Sequence, residues 1–572
     1  MFVLGVSSIC LAQARLSNSD AAYHRALKAM QNGDVAGARV AFEQAVKLDP
    51  RNADAQNALG QLLLQQGNVD AAISHFRMVT KLKPELAIGH FYLAQALSTK
   101  GSLDGAAAEL RVAVRQAPRQ LDAHRALARV LSQQQKTDDA IAEMDQALAL
   151  DSSLPELHDE LGVLLAQKGQ FSSAEKEFRA ALRLDQRYEP AELHLGVALL
   201  NSGDRDDAQR ALQQAVQLDP KDATAQYYLG TVLEAKGNTE DALRAYRQAA
   251  DLTPKVPTIQ THLGLLLQHS GDLQAAAAAF SKTVELTPDD PEAHNNLGLA
   301  LLQSGQADTA IREFQIALTL NPADTEIRGN LGVAYLQKAD FDAAARELRE
   351  ALKTSPEKAT LHYDLGVALK LKDSLPEAIA ELKEAIRLDS GLSDAYYTYG
   401  IVLWQQGDFS GAADLLRAAI TAKPDYAEAY YTLGTVLKQM NKLPEAADAL
   451  HQAIRLQPGF AGAHTTLAAV LRLMGDPEGA AAESRAGAEI SKQMNDLQAA
   501  TFTTNSGRRL LDAGDLDGAV SQFQSAITSM PTYAPAHYQL GLALQRKGNS
   551  KDAAKEFQRA SELDPHLQPP SH

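Results

Sequence analysis

Residues 291–324 read PEAHNNLGLALLQSGQADTAIREFQIALTLNPAD. Leu297 and Gly298 stand together, Ala310 follows twelve residues after Gly298, Phe314 comes four later, and Pro322 closes the stretch. Working outward from Ala310, alanine recurs at 38, 72, 106, 140, 174, 208, 242, 276, 310, 344, 378, 412, 446, 480, 519 and 553. Every step is 34 residues except the step from 480 to 519, which is 39. A fixed period of this length marks a stacked repeat architecture and is sought before any other feature.

With the recurring Ala set at position 20, repeat 1 begins at Ser19. Position 8 is Gly in twelve copies and Ala in four (Ala26, Ala94, Ala128 and Ala468), and Leu precedes it in thirteen. Position 24 is Phe, Leu, Met or Tyr except at Ser484, and position 32 is Pro in twelve copies. Positions 4, 7, 8 and 11 share one helical face, and 20, 24 and 27 share another. Small residues at 8 and 20 let two helices cross closely while position 24 fills the space beside them. Twelve copies place Gly between the two helices, usually before Asp, Asn or Ser, as in Gly33-Asp34 and Gly271-Asp272. Gly suits a left-handed cap ending the first helix, and the polar residue can cap the second. The closing Pro stops the second helix.

This pattern resembles the tetratricopeptide repeat family over Ser19 to Leu567. The Leu-Gly pair, the recurring Ala, the large residue at 24, a second Ala at 27 (Ala45, Ala113, Ala147) and the closing Pro carry the resemblance. It implies an all-α, right-handed superhelical solenoid of antiparallel helix pairs. The expected organisation is repeats 1–14 over 19–494, repeats 15 and 16 over 500–567, and a tail at 568–572. Repeat 14 is degenerate, with Ser484, Gly487 and Lys492 at positions 24, 27 and 32, and five extra residues fall within 487–504. Two readings are open there: a tolerated loop insertion, which is favoured, or a bend separating two binding segments.

Residues 1–14 carry an apolar run, Phe2 to Leu11, followed by Ala12-Gln13-Ala14. That resembles the core and cleavage site of a secretory signal without its basic start, so export is one expectation, and an ordinary disordered end on a cytoplasmic chain is the other. The run is too short to span a bilayer, and nothing later reaches 18 unbroken apolar residues. Cys10 is the one cysteine, so neither a disulfide nor a thiolate metal site is expected. The net charge of −16 argues against nucleic acid as a partner.

Where the family often has Trp at position 4, this chain has His in seven copies: His90, His124, His158, His294, His362, His464 and His537. Successive copies lie roughly 10 Å apart, whereas metal ligands converge within about 2 Å of one ion. A packing residue with a polar tip is therefore expected, and no metal. A weaker expectation is pH-dependent stability if these rings are buried; a flat melting temperature from about pH 5.5 to 7.5 would oppose it.

No phosphate loop, dinucleotide fingerprint, HExxH, GxSxG or paired-Cys motif is present. No catalytic residue and no cofactor is expected, and the chain reads as a non-enzyme. Similar repeats precede the catalytic domain of enzymes that attach a single sugar to Ser or Thr. Seven residues follow Pro565, so no such domain is expected. Of the repeated Asn those enzymes carry at position 6, only Asn296, Asn330 and Asn505 match. Positions 5 and 9 also lack the Lys and Asn set of the family's carboxylate clamp.

The resemblance implies that positions 2, 5, 9 and 12 of the first helix face an inner groove. Tyr363, Tyr397 and Tyr431 occupy position 5 of repeats 11 to 13. Lys370, Trp404, Lys438 and Arg472 occupy position 12 of repeats 11 to 14. Position 9 is apolar from repeat 8 to repeat 12: Leu265, Leu299, Val333, Val367 and Ile401. Aromatic and cationic groups together suit an extended peptide of acidic or polar character. The competing reading is that the tyrosines pack on the adjacent helix. The expected function is a scaffold that binds protein or peptide partners. The alternative is an accessory subunit presenting substrates to a separate enzyme, such as a glycosyltransferase, or serving a secretion or assembly complex.

Overall fold

The computed structural model describes residues 18–569. The export signal expected at 1–14 lies outside the described residues. Helix pairs account for the described chain, and no strand occurs among the described residues. Repeat 9 shows the unit: Pro291–Gln303, a turn, then Ala307–Leu320. The second helix ends two residues before the closing Pro322, whose ring would clash with a continuing turn.

The tight crossing of the two helices depends on position 8. A Cβ built on Gly60 would stand 2.7 Å from Phe76, and one on Gly162 would stand 2.5 Å from Phe178. The aromatic ring at position 24 therefore fills the space a side chain at position 8 would take. Phe76, Phe178, Tyr246, Phe280, Phe314 and Phe523 are all fully buried in this role.

The turn between the helices is left-handed in all sixteen repeats. Gly fills it in twelve, while Gln135, Ala339, Asp373 and Asn441 adopt φ of 60° to 62°. Capping of the second helix is more selective than the sequence suggests. Asp34, Asp204, Asp272, Asp340, Asp408, Asp476, Asp515 and Asn549 accept a backbone N–H, but Asn68, Asn238, Ser102 and Ser374 do not.

Two compact units divide the chain, Met1–Pro288 and Asp289–His572, and the division falls at the end of repeat 8. Within each unit, second helices pack on the first helices of following repeats through Ala and Leu cores such as Ala106, Leu110, Leu127 and Leu131.

The register fault in the second unit is not a loop. Pro477–Asp512 is one helix of 36 residues that joins the second helix of repeat 14 to the first of repeat 15. The five extra residues extend this helix, and the boundaries at 494 and 500 fall inside it. Its start packs through Ala480 and Gly487, its end through Ala500, Thr504, Gly507 and Leu511. Between them Ser491 to Asn495 are exposed, Met494 at 60%. Ser484 and Arg485 are also exposed.

Candidate functional site

Position 4 anchors the first helix to its own second helix wherever it is His or Arg. In all seven repeats with His there, Nδ1 faces the Oε2 atom of a Glu at position 23, at 2.6 to 2.8 Å. The partners are Glu109, Glu143, Glu177, Glu313, Glu381, Glu483 and Glu556. In six of them Nε2 faces a backbone carbonyl oxygen at the close of the preceding repeat, for example Pro84 from His90 at 3.0 Å. Arg328 takes the same place in repeat 10, donating to Glu347 and to the Pro322 carbonyl. Five of the seven imidazoles are buried: His90, His124, His294, His464 and His537. Each ring is thus held by the Glu of its own repeat, and Nε2 by the close of the one before.

Position 5 ties several of the first helices to the next one. Arg125 donates to Glu160, His194 Nδ1 faces Asp159 at 2.8 Å, and Asn330 donates to Asn295 at 3.0 Å. Tyr227 meets His262 edge-on, with ring centroids 5.4 Å apart. In every case position 5 of one repeat meets position 6 of the next. Two of the expected tyrosines belong to this series. Tyr363 faces Thr398, and the Tyr397 hydroxyl lies 3.5 Å from that of Thr432. Tyr397 also lies against Tyr426, and Tyr431 against Phe460, with centroids 5.1 and 4.7 Å apart. The competing packing reading therefore describes much of what these three rings do, since each spends most of its surface on a neighbouring element.

Position 12 differs. Trp404 Nε1 donates to Gln439 at 2.7 Å, which leaves the indole half-buried. Lys370 and Lys438 are half-buried and Arg472 is exposed. None of these three cations has a carboxylate within ion-pair distance. Elsewhere lysines at position 14 pair with Asp at position 18 of the preceding repeat, as Lys100 does with Asp70 and Lys338 with Asp308. Burial holds the Lys370 amine below the usual lysine range. On the apolar row, Leu265 is 43% exposed, while Leu299, Val333, Val367 and Ile401 are half-buried.

Sequence reasoning missed Asp364, at position 6 of repeat 11. Its tie is absent, because position 5 of repeat 10 is Gly329, where Leu361 occupies the space. Burial pushes the Asp364 carboxyl up to about 7. A carboxylate opposite a glycine was the available signal.

Family models described as tetratricopeptide repeat match residues 23–87, 91–155, 125–189, 193–257, 262–325, 330–393, 376–427 and 431–493, and further ones match 507–548 and 534–567. The chain belongs to the tetratricopeptide repeat family. No curated protein matches it. Among solved structures it is similar to one of the APC/C hetero-tetramer Cut9–Hcn1, at 16% identity over 82% of this chain and 99% of that one, with a TM-score of 0.37. It is similar to yeast Tom70 at 17% identity over 76% and 96%, TM-score 0.36, and to YrrB at 24% over 34% and 97%, TM-score 0.29. As a tetratricopeptide repeat array it has the general role of a protein-interaction scaffold. No described helix is long and apolar enough to cross a membrane.

Proposed function

We infer that the chain is a non-catalytic scaffold that binds an extended, acidic stretch of a partner polypeptide along the first-helix face of repeats 11 to 14. The observation that carries this reading is the row Lys370, Trp404, Lys438 and Arg472, one residue per repeat, whose three cations have no carboxylate of their own. Unpaired cations beside an aromatic ring favour a partner that supplies negative charge. Tyr363, Tyr397 and Tyr431 act in this reading as the wall that holds the row in place.

The test is binding of a fluorescent glutamate-rich peptide to the full chain. Lys438→Glu with Arg472→Glu removes two cations and adds two anions, at a half-buried and an exposed site outside the core, so the fold should persist. The affinity should fall at least about tenfold, roughly 1.4 kcal/mol, and weaken with salt in the parent chain. Equal affinity in the variant places the binding face elsewhere.

A further inference from the structure

Two recesses lie on the first-helix face of repeats 3 to 6, away from the cationic row. One, of about 510 Å3, has Leu110 at its floor and Phe91, Gln95 and Ser98 on its walls. The other, of about 410 Å3, has Met144 at its floor and Ser132, Val163 and Gln167 around it. They are the same recess one repeat apart. Gln95 and Arg129 are the position-9 residues of repeats 3 and 4, Ser98 and Ser132 are position 12, and Leu110 and Met144 are position 24. Arg129 and Gln133 line both, so the two are continuous.

We propose that this double recess binds an extended, uncharged partner segment that places one apolar side chain in each recess, three residues apart. Half-buried Phe91 and Ala126 line one recess and half-buried Val163 the other, above the buried Leu110 and Met144, so each recess offers apolar surface to a side chain. Adjacent first helices lie roughly 10 Å apart. A polyproline II chain rises about 3.1 Å per residue with three residues per turn, so every third side chain projects to the same side about 9 Å on. A β-strand sends residues three apart to opposite faces.

A helix also offers a match, at seven residues and about 10.5 Å. The rim argues against it. Gln95, Ser98 and Gln133 make no side-chain hydrogen bond within the protein. An extended segment presents unpaired backbone N–H and C=O groups to such a row, whereas a helix satisfies its own.

The charges around the recesses are largely committed to one another. Glu160 lies between Arg125 and Arg129, and Asp159 faces His194. Two arginines stand against Asp122, Asp159 and Glu160, so no surplus of positive charge calls for an acidic partner. This recess therefore recognises a different chemistry from the cationic row and does not depend on that reading.

The experiment measures fluorescence anisotropy of the full chain with three labelled peptides. One repeats Leu-Pro-Pro, one has the same composition with the leucines at alternate positions, and one is an alanine-rich helix with leucines seven apart. The Leu-Pro-Pro peptide should bind at least about tenfold tighter than either other peptide. Ser132→Trp fills one recess and should abolish that preference. If Ser132→Trp lowers the melting temperature, Gln133→Ala decides, because Gln133 is exposed and its loss should weaken binding several-fold with the fold intact. The Lys438→Glu, Arg472→Glu chain should bind this peptide as the parent does. Equal affinity for the three peptides, a preference for the helix, no binding at all, or unchanged affinity in the recess variants overturns the proposal.

Discussion

At the residue scale, the positions that define the repeat have single physical causes. The turn position needs a positive φ, and four repeats meet that need without glycine. Ala339, at φ 62°, has no side-chain hydrogen bond to offset the crowding of its Cβ. Ala339→Gly should stabilise the chain by about 0.5–1 kcal/mol, read as a raised melting temperature. Asp364 gives a pH signature. Its carboxyl is raised from 3.8 to about 7, so the folded state holds a proton that the unfolded chain releases. Stability contributed by that proton is present below the unfolded value, is lost as pH rises towards about 7, and does not fall further above it. Asp364→Asn should therefore gain on the parent with rising pH, reaching about 2 kcal/mol by pH 8 once partial solvent access is allowed for. Parallel melting curves for parent and variant against pH would refute this. Both left a trace in the sequence, Ala339 where twelve copies have Gly and Asp364 opposite Gly329, but their energies depend on a backbone angle and on what faces a side chain in the preceding repeat.

At the element scale, the helix pair was legible and its fastenings were less so. Position 8, the recurring Ala and position 24 are visible because a small residue serves the first two in every copy and a large apolar one serves the third in all but one. The clasp between positions 4 and 23 was visible only in part. His at position 4 stood out, but its partner did not, although Glu at 23 occurs in the repeats with His or Arg at 4 and in no other. That pairing within one chain was the signal. Glu313→Ala leaves His294, 5% exposed, without its Nδ1 partner and should cost about 1–3 kcal/mol in denaturant unfolding. The same change at the exposed Glu445 should cost far less. The ties between positions 5 and 6 escaped notice because Arg–Glu, Asp–His, Tyr–Thr and Asn–Asn pairs share a geometry and no residue type. The fused helix escaped for a related reason. Residues 488–506 contain neither Gly nor Pro, so nothing in them ends a helix, yet a period of 34 invites a break there.

At the scale of the whole molecule, each repeat adds one first-helix face, and the chain varies what that face displays. Repeats 3 to 6 show apolar recesses with a polar rim, and repeats 11 to 14 show unpaired cations around Trp404. The long helix Pro477–Asp512 then joins repeats 15 and 16 through a stretch with exposed sides. The family and the absence of familiar catalytic motifs were readable from the sequence. The choice of binding residues was not, since a side chain at position 5 serves packing or capture according to what the next repeat places against it. Hydrogen exchange of the full chain, with and without the glutamate-rich peptide, tests the central claim that the first helices form the binding face. Slowed exchange should concentrate in Ala359–Leu371, Ser393–Gln405, Ala427–Gln439 and Ala461–Leu473, with the intervening second helices unchanged. Protection confined to the second helices, or none in these four segments while the peptide is bound, would contradict the account.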